Sequence, residues 1–335
     1  MNKDIVTIIL GAGFSKPAGL PLAREIDKFF DRDNTGKLLH FSSQEWAWID
    51  YASDADKVNG RNSLDVFASG FLLNEWVAEY KQKVGLFDSY EDFYQFIVNN
   101  INNIGLWKTT LEKGLDKFLS IYKIEPQQAQ YNLHTRSLRE VNKNKLFSLI
   151  NLLIADLLQV RCSEDILQTS YSLFIEFIKK FYKSNIITLN HDILLEWLLK
   201  TNNIDFDDGY SEKNSHLQNE RKVKIPVFAN VFCKPISLIK LHGSIDNYMY
   251  PIGVEKGSSV QLTGDHLYFK THSYKDKHFP YRVCPETGEI IQRFHSEITP
   301  CFITGTNKDD VIKNIPMYKD LYDGFKRGIH SSNIL

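Results

Sequence analysis

The feature that most constrains this fold is a β-branched run that leads directly into glycines near the N-terminus. Ile5 to Leu10 reads IVTIIL, and Gly11-Ala12-Gly13-Phe14-Ser15 follows at once, with Gly19 and Pro21 further on. Six mostly β-branched residues bounded by glycine indicate a buried strand, and helical spacing from Leu22 to Phe30 indicates a helix after the turn. This order is typical of an α/β sheet that binds ligands at the carboxyl ends of its strands.

The glycine turn has both a functional and a purely structural interpretation. Glycines let the backbone approach a phosphate closely, and the N–H groups at the start of the next helix can then bind that anion. The spacing G-x-G-x-x-x-x-x-G differs from the G-x-G-x-x-G of dehydrogenases. Taken alone, the turn is an equally good tight connection between a strand and a helix.

Two further predicted strands end in polar residues. Asn185 to Leu189 leads into the motif Thr188-Leu189-Asn190-His191-Asp192, and Ile236 to Leu241 leads into His242-Gly243-Ser244. Asn and Asp at such a position can simply cap a helix, and a histidine there can be structural. A histidine in a cleft can also act as a general base. Alternation along the strand predicts that His191 points away from the site.

The chain between the first and second strands has a different pattern. Apolar residues at helical spacing predict helices at the four ranges Leu64 to Lys81, Tyr90 to Ile104 (with Asp88 and Glu91 as a capping box), Leu146 to Val160 and Tyr171 to Tyr182. No segment between Asn34 and Lys183 gives a strand signal. The sequence therefore predicts an α/β core formed by residues 1–34 and 184–335, with residues 35–183 inserted as a helical module.

The three motifs together resemble the sirtuin superfamily. The order GAGxS, G-x-P, T-x-N-x-D and HG matches that family, and TLNHDILLEWL with KLHGSID is similar to the sirtuin-like NADase domains of bacterial anti-phage defence systems. The resemblance implies a Rossmann-like, doubly wound, mostly parallel sheet. It covers about Ile5 to Phe30 and Asn185 to Phe325 and leaves the helical module without a matching motif.

The resemblance implies roles for individual residues around NAD⁺, which would be the substrate. Asn190 would hold the ribose hydroxyls or an attacking water, and His242 would be the catalytic base. Asp192 would face the nicotinamide carboxamide. The remaining NAD⁺-binding positions would be Gly11, Ala12, Gly13, Phe14, Ser15, Gly19, Pro21, Thr188, Gly243 and Ser244.

Departures from the family pattern favour NAD⁺ hydrolysis over protein deacylation. Pro21 is followed by Leu22-Ala23-Arg24 instead of the P-D-F-R stretch of deacylases, and the zinc-binding cysteine pairs are missing. Asn333-Ile334-Leu335 resembles the beginning of a further strand, so the core is expected to be truncated and the isolated chain a poor NADase. The alternatives are a non-catalytic NAD⁺ or ADP-ribose-binding module and, after it, an NAD-dependent deacylase.

Composition sets limits on other classes of function. The 40 basic and 41 acidic side chains give a formal charge of −1, which argues against nucleic-acid binding through bulk charge. The four cysteines form no C-x-x-C pair, and His266, His272, His278 and His295 match no metal-ligand spacing, so no zinc is expected. Neither a signal peptide nor an 18-residue apolar run occurs, which predicts a cytoplasmic protein. Family resemblance implies a homo-oligomer, or a complex with a sensor or ATPase partner or with a C-terminal sensor region.

Overall fold

The computed structural model describes residues 4–31, 37–42, 45–50, 61–122, 143–213, 215–256, 259–271, 280–284, 286–293 and 300–332. Contacts between residues divide the chain into two compact units. The first, here called the sheet unit, contains Met1–Leu22, Leu157–Ile303 and Lys308–Leu335. The second, here called the helical unit, contains Ala23–Asp156 and Thr304–Asn307.

The strands are β1 (Ile5–Leu10), β2 (Lys37–Ser42), β3 (Glu45–Asp50), β4 (Lys183–Thr188), β5 (Phe206–Asp207), β6 (Gly209–Ser211), β7 (Leu217–Gln218), β8 (Val227–Val231), β9 (Ile236–Lys240), β10 (Gly243–Lys256), β11 (Ser259–Lys270), β12 (Tyr281–Val283), β13 (Ile290–Gln292) and β14 (Pro300–Phe302). The α-helices are α1 (Ala23–Asp31), α2 (Arg61–Val84), α3 (Tyr90–Asn100), α4 (Ile104–Tyr122), α5 (Lys143–Leu157), α6 (Glu164–Ile178), α7 (Leu194–Thr201), α8 (Lys308–Asn314) and α9 (Pro316–Ser331). None of the described helices is long and apolar enough to cross a membrane.

A four-stranded parallel sheet forms the centre of the sheet unit, in the order β1-β4-β9-β5. Successive side chains of a strand point to opposite faces, so each face needs its own cover. Ile186 and Leu238 lie in one apolar cluster with residues of α6 and α7. Ile187 and Ile239 lie in a second cluster with residues of α9. The fold is therefore mixed α/β, with helices packed on both faces of a parallel sheet.

Two helices fall in a different unit from the one that the sequence pattern suggests. Helix α6 belongs to the sheet unit, because Leu167, Tyr171 and Ile175 form an apolar stripe that packs in the cluster around Ile186. Helix α1 belongs to the helical unit, where Phe30 packs against Phe87 and Phe93. The contact-based division thus differs from the predicted boundaries at residues 34/35 and 183/184.

A second sheet of five strands is antiparallel, in the order β14-β10-β11-β8-β6. The expectation of mostly parallel strands therefore holds only for the first sheet. The long pairing of β10 with β11 was not predicted, because Pro251 and Gly253 interrupt the strand pattern. A register shift between these two residues accommodates them. Strand β14 at the edge of this sheet pairs antiparallel with β10.

The helical unit contains two strands that the sequence analysis missed. Strands β2 and β3 pair antiparallel, with Leu39 opposite Trp48 and Phe41 opposite Trp46. The prediction of no strand between Asn34 and Lys183 is therefore wrong. Alternating large apolar residues in KLLHFS and EWAWID are the signal that could have found them.

Helix α3 begins with a different cap from the one predicted. The side chain of Ser89 accepts a hydrogen bond from the backbone N–H of Asp92, so Ser89 is the N-cap residue instead of Asp88. Ser and Asp are both favoured at this position, and only the backbone path decides between neighbours. The aromatic side chains of Tyr80, Phe87 and Phe93 pack behind this cap.

Candidate functional site

The three predicted motifs meet at one edge of the parallel sheet. Leu10 is paired with Thr188, and Thr188 is paired with Lys240, so β1, β4 and β9 end at the same level. The glycine turn follows Leu10, Asn190 follows Thr188 by two residues, and His242 follows Lys240 by two residues. In open α/β sheets this carboxyl edge is where ligands bind.

The glycine turn is open on its outer side. Gly11, Ala12 and Gly13 are exposed, and a Cβ atom added at Gly11 or Gly13 would have no heavy atom within 4 Å. The segment Ala12–Ala18 forms a 3₁₀ helix that ends at Gly19, whose φ of 79° lies in the left-handed region. The α-helix itself begins only at Ala23, after Pro21, so the N–H groups beside the turn belong to the 3₁₀ helix.

Aromatic packing anchors the turn from behind. The ring of Phe14 lies 5.0 Å from that of Tyr171 and 4.9 Å from that of Phe174, measured between centroids. The hydroxyl of Tyr171 donates a 2.7 Å hydrogen bond to the carbonyl of Phe14. Because both aromatic partners belong to α6, this helix holds the turn in place at the sheet edge.

Side chains of the first two motifs bind one another. The side-chain nitrogen Nδ2 of Asn190 donates to the Gly11 carbonyl at 3.0 Å and to the Ser15 hydroxyl at 3.1 Å. Ser15, which is buried, donates to Oδ2 of Asp192 at 2.8 Å. The backbone N–H of Asn190 donates to the hydroxyl of Thr188, which is itself buried. Ser15, Asn190 and Asp192 thus form one polar network beside the open glycines.

Asp192 is held on both of its carboxylate oxygens. Oδ1 accepts from the backbone N–H of Leu194 at 3.0 Å, while Oδ2 accepts from Ser15. Burial raises the pKa of Asp192, and the nearby Lys240 and the Ser15 hydroxyl oppose that rise. In this conformation Asp192 positions Ser15 and the first turn of α7.

His242 lies where β9 passes into β10 and is 9% exposed. Its carbonyl accepts a 2.8 Å hydrogen bond from the N–H of Ile303. Burial, and then the positive charge of Lys308, lower the pKa of the His242 imidazole to about 4. The ring is therefore neutral at pH 7 and can accept a proton.

His191 lies beside His242, so the expectation that it points away is wrong. The ring centroids of the two histidines are 6.1 Å apart, and the His191 ring lies 4.8 Å from that of Phe302. Burial and the proximity of His242 lower the pKa of His191 to about 3. Strand alternation failed here because the extended strand ends at Thr188 and the chain bends at Asp192.

Gly243 and Ser244, which follow His242 in the third motif, are both closely packed. Gly243 has a φ of 79°, and a Cβ there would lie 2.7 Å from the Tyr318 hydroxyl. Ser244 is fully buried, and its hydroxyl donates to the carbonyl of His191 at 3.2 Å. The N–H of Ile245 donates to the same carbonyl at 2.9 Å. These contacts hold the loop after β4 against the start of β10.

Sequence reasoning missed a buried charged group next to this motif. Lys240 donates to Ser244 at 2.8 Å, to Glu196 at 3.1 Å and to the carbonyl of Asp192. Glu196 also binds Lys270. A lysine inside the apolar strand ISLIKL was the signal, since a buried lysine needs acidic partners.

The chain matches no known protein-family model and no curated protein. Within the described residues, no three His, Cys, Asp or Glu side chains are grouped so as to hold a metal ion. Of the four histidines considered in the sequence, His266 is exposed on β11, and the other three lie outside the described residues.

Proposed function

We propose that this chain is a sirtuin-like NAD⁺ glycohydrolase, which cleaves NAD⁺ to nicotinamide and ADP-ribose. The observation that carries this proposal is the contact between the first two motifs, in which Asn190 binds Gly11 and Ser15. Polar side chains at the end of β4 are thereby fixed beside a glycine turn that is open to a ligand. A Rossmann-like, doubly wound sheet is part of the proposal, supported by the carboxyl edge that the motifs share.

The residue types suit this reaction. A water oxygen bonds to C1′ of the nicotinamide ribose while the C1′–N bond breaks. The electron pair of the broken bond stays on the ring nitrogen, so nicotinamide leaves as a neutral molecule. His242, neutral at pH 7, takes the proton of that water. Asn190 holds the water or the ribose hydroxyls in place. Because nicotinamide leaves without needing a proton, positioning and one base are sufficient catalytic help.

The biological setting is proposed from the sequence resemblance. In that setting, NAD⁺ depletion serves bacterial anti-phage defence, and the chain acts as a homo-oligomer or with a sensor or ATPase partner.

Side chains that hydrogen-bond each other in the free protein, such as Asn190 and Ser15, would exchange these partners for NAD⁺ when it binds.

Nicotinamide release from NAD⁺, followed by chromatography, tests the catalytic roles. We expect His242→Ala and Asn190→Ala each to lower the rate by about 10²- to 10⁴-fold, the usual contribution of a positioned acid–base or orienting group. His266→Ala and Asn99→Ala are matched controls on exposed positions and should leave the rate unchanged. Thermal melting of each variant establishes that it is folded.

The products separate this proposal from its alternatives. Binding of NAD⁺ or ADP-ribose with no nicotinamide released, in the presence of the chain's natural partners, would indicate a binding module. An acyl-ADP-ribose formed from an acylated peptide would indicate a deacylase. Near-full turnover by His242→Ala would exclude the mechanism given above.

A further inference from the structure

The sheet unit contains a cavity of about 760 Å³ that none of the predicted NAD⁺-site residues lines. Its walls come from α7, from the chain between Asn203 and Glu212, and from the ends of β10 and β11. Ligand cavities in proteins span about 300–1,000 Å³, so this volume suits a small organic molecule. The cavity is therefore separate from the site proposed above and is large enough for a ligand of its own.

A buried charged group forms the floor of this cavity. Lys270 lies 2.7 Å from Asp208, 3.1 Å from Glu196 and 3.3 Å from Asp246, measured from Nζ to the nearest carboxylate oxygen. Lys240, behind Glu196, is the second lysine of the group at 3.1 Å. Three carboxylates thus face two ammonium groups, and each lysine is already held by several acceptors. Buried charges of this kind are costly unless they are balanced.

Asp246 pairs with Lys270 through Oδ2, but its other carboxylate oxygen has no partner among the described residues. The residue is 8% exposed, and this second oxygen, Oδ1, is buried. Burial raises the pKa of Asp246 despite the attraction of Lys270, and the neighbouring Glu196 adds to the rise. A cation that also donates a hydrogen bond would give Oδ1 of Asp246 a partner and would lower the raised pKa of this carboxyl.

The rim of the cavity does not supply that charge. Its remaining charged side chains are two acids, Asp205 and Glu212, and two lysines, Lys200 and Lys234. Lys234 lies 3.8 Å from Asp205, so these two charges are already paired. The floor and the rim together therefore contain one more carboxyl group than lysine ammonium groups.

Three aromatic side chains also line the cavity. Trp197, Phe206 and Tyr210 line the cavity, and Lys270 already lies 5.7 Å from the Tyr210 ring centroid. Aromatic faces attract cations and also cover the flat or aliphatic body that carries them. A bare metal ion fits poorly, since the volume is many times that of an ion and the described side chains offer no three-ligand group.

We propose that this cavity binds a small organic cation, an amine or guanidinium carried on an aromatic or aliphatic body. The cation would lie towards Asp246 and Asp208, and the body would lie against Trp197 and Phe206. The proposal does not depend on NAD⁺ chemistry, because it requires only binding.

Isothermal calorimetry with tryptamine and agmatine tests the proposal, with indole-3-acetate as the matched anion. We expect the two amines to bind and the anion to bind at least about tenfold more weakly. Asp246→Asn, which removes the excess charge with little change of shape, should weaken amine binding by about ten- to hundredfold. Asp265→Asn, on an exposed position of β11, is the control and should leave binding unchanged.

Asp208→Asn provides a second test should the Asp246 variant fail to fold, because Asp208 is less buried and lines the same cavity. It should weaken amine binding in the same direction. Equal affinity for tryptamine and indole-3-acetate, or undetectable binding of both amines at millimolar concentration, would overturn the proposal. Competition of the amines by NAD⁺ would also overturn it, since the ligand would then occupy the NAD⁺ site.

Discussion

At the scale of single residues, two neighbouring histidines are held neutral. The pKa of His191 is lowered to about 3 and that of His242 to about 4, from an ordinary value of 6.5. Burial is the largest cause for both. The burial that costs stability in acid keeps the His242 imidazole in the neutral form that can accept a proton, and it also lowers the basicity of that ring.

These lowered pKa values predict how stability depends on pH. Between about pH 6.5 and pH 3 the unfolded chain binds more protons than the folded chain, so the free energy of unfolding falls as the pH falls. The nearby His242, Lys240 and Lys308 oppose protonation of His191, and a hydrogen bond with the Gly243 backbone favours it. His191 therefore contributes to this loss only below its unfolded-state pKa.

We expect His191→Phe to flatten this dependence. Removing one such group reduces the slope by up to about 1.4 kcal/mol per pH unit in the window between pH 6 and pH 4. Urea unfolding at several pH values measures the slope, with His266→Phe as the control at an exposed position. Identical slopes for the wild type and His191→Phe would show that His191 is not held neutral by its surroundings.

At the scale of elements, α6 and the glycine turn work together. The turn's outer side is open, while its inner side is fixed by Phe14 against Tyr171 and Phe174. This arrangement lets the exposed backbone of the turn be rigid without a covering side chain. Rigid, uncovered backbone is what close approach to a diphosphate requires.

Gly13→Val is expected to block NAD⁺ binding while leaving the fold intact. No heavy atom lies within 4 Å of a Cβ at Gly13, so valine meets open space in the free protein and occupies the volume proposed for the diphosphate. Calorimetry with NAD⁺ and a melting curve give the two readouts. Gly105→Val, on an exposed position of α4, is the control for nonspecific effects. Unchanged NAD⁺ affinity in Gly13→Val would place the diphosphate elsewhere.

At the scale of the whole sheet unit, one buried charged group ties several elements together. Lys240 of β9 joins Glu196 of α7 and Ser244 of β10, and Glu196 joins Lys270 of β11. Burial raises the pKa of Glu196, but Lys240 and Lys270 outweigh it and hold that pKa below its usual value. The parallel sheet and the antiparallel sheet are thereby joined through buried charges.

Replacing Lys240 tests this connection. We expect Lys240→Met to lower the free energy of unfolding by about 3–5 kcal/mol, because Glu196 keeps only Lys270 as a partner and the Asp192 carbonyl and Ser244 lose a donor. The double variant Lys240→Met/Glu196→Gln should recover part of that loss. Lys326→Met, in an exposed ion pair of α9, is the control and should cost less than about 1 kcal/mol. A Lys240→Met loss no larger than that of Lys326→Met would contradict this account.

Local pattern was sufficient to predict β1, β4 and β9, which are three of the four strands of the parallel sheet, and with them the position of the motifs. The bounds of β1 were predicted to the residue, and those of β4 and β9 to within two residues. Short β-branched runs bounded by glycine or polar residues seldom form anything other than a buried strand. Parallel strands share a carboxyl edge, so the three motifs had to meet once the strands were right.

Only the tertiary structure decided what each motif residue contacts. It buried Ser244 and Thr188, left Gly13 open, brought His191 beside His242, and paired Lys240 with Glu196. The physical reason is sequence separation. The exposure and the pKa of a motif residue depend on groups such as Lys270, Phe302 and Lys308. These groups lie far along the chain, so the local sequence pattern around a motif does not indicate that they contact it.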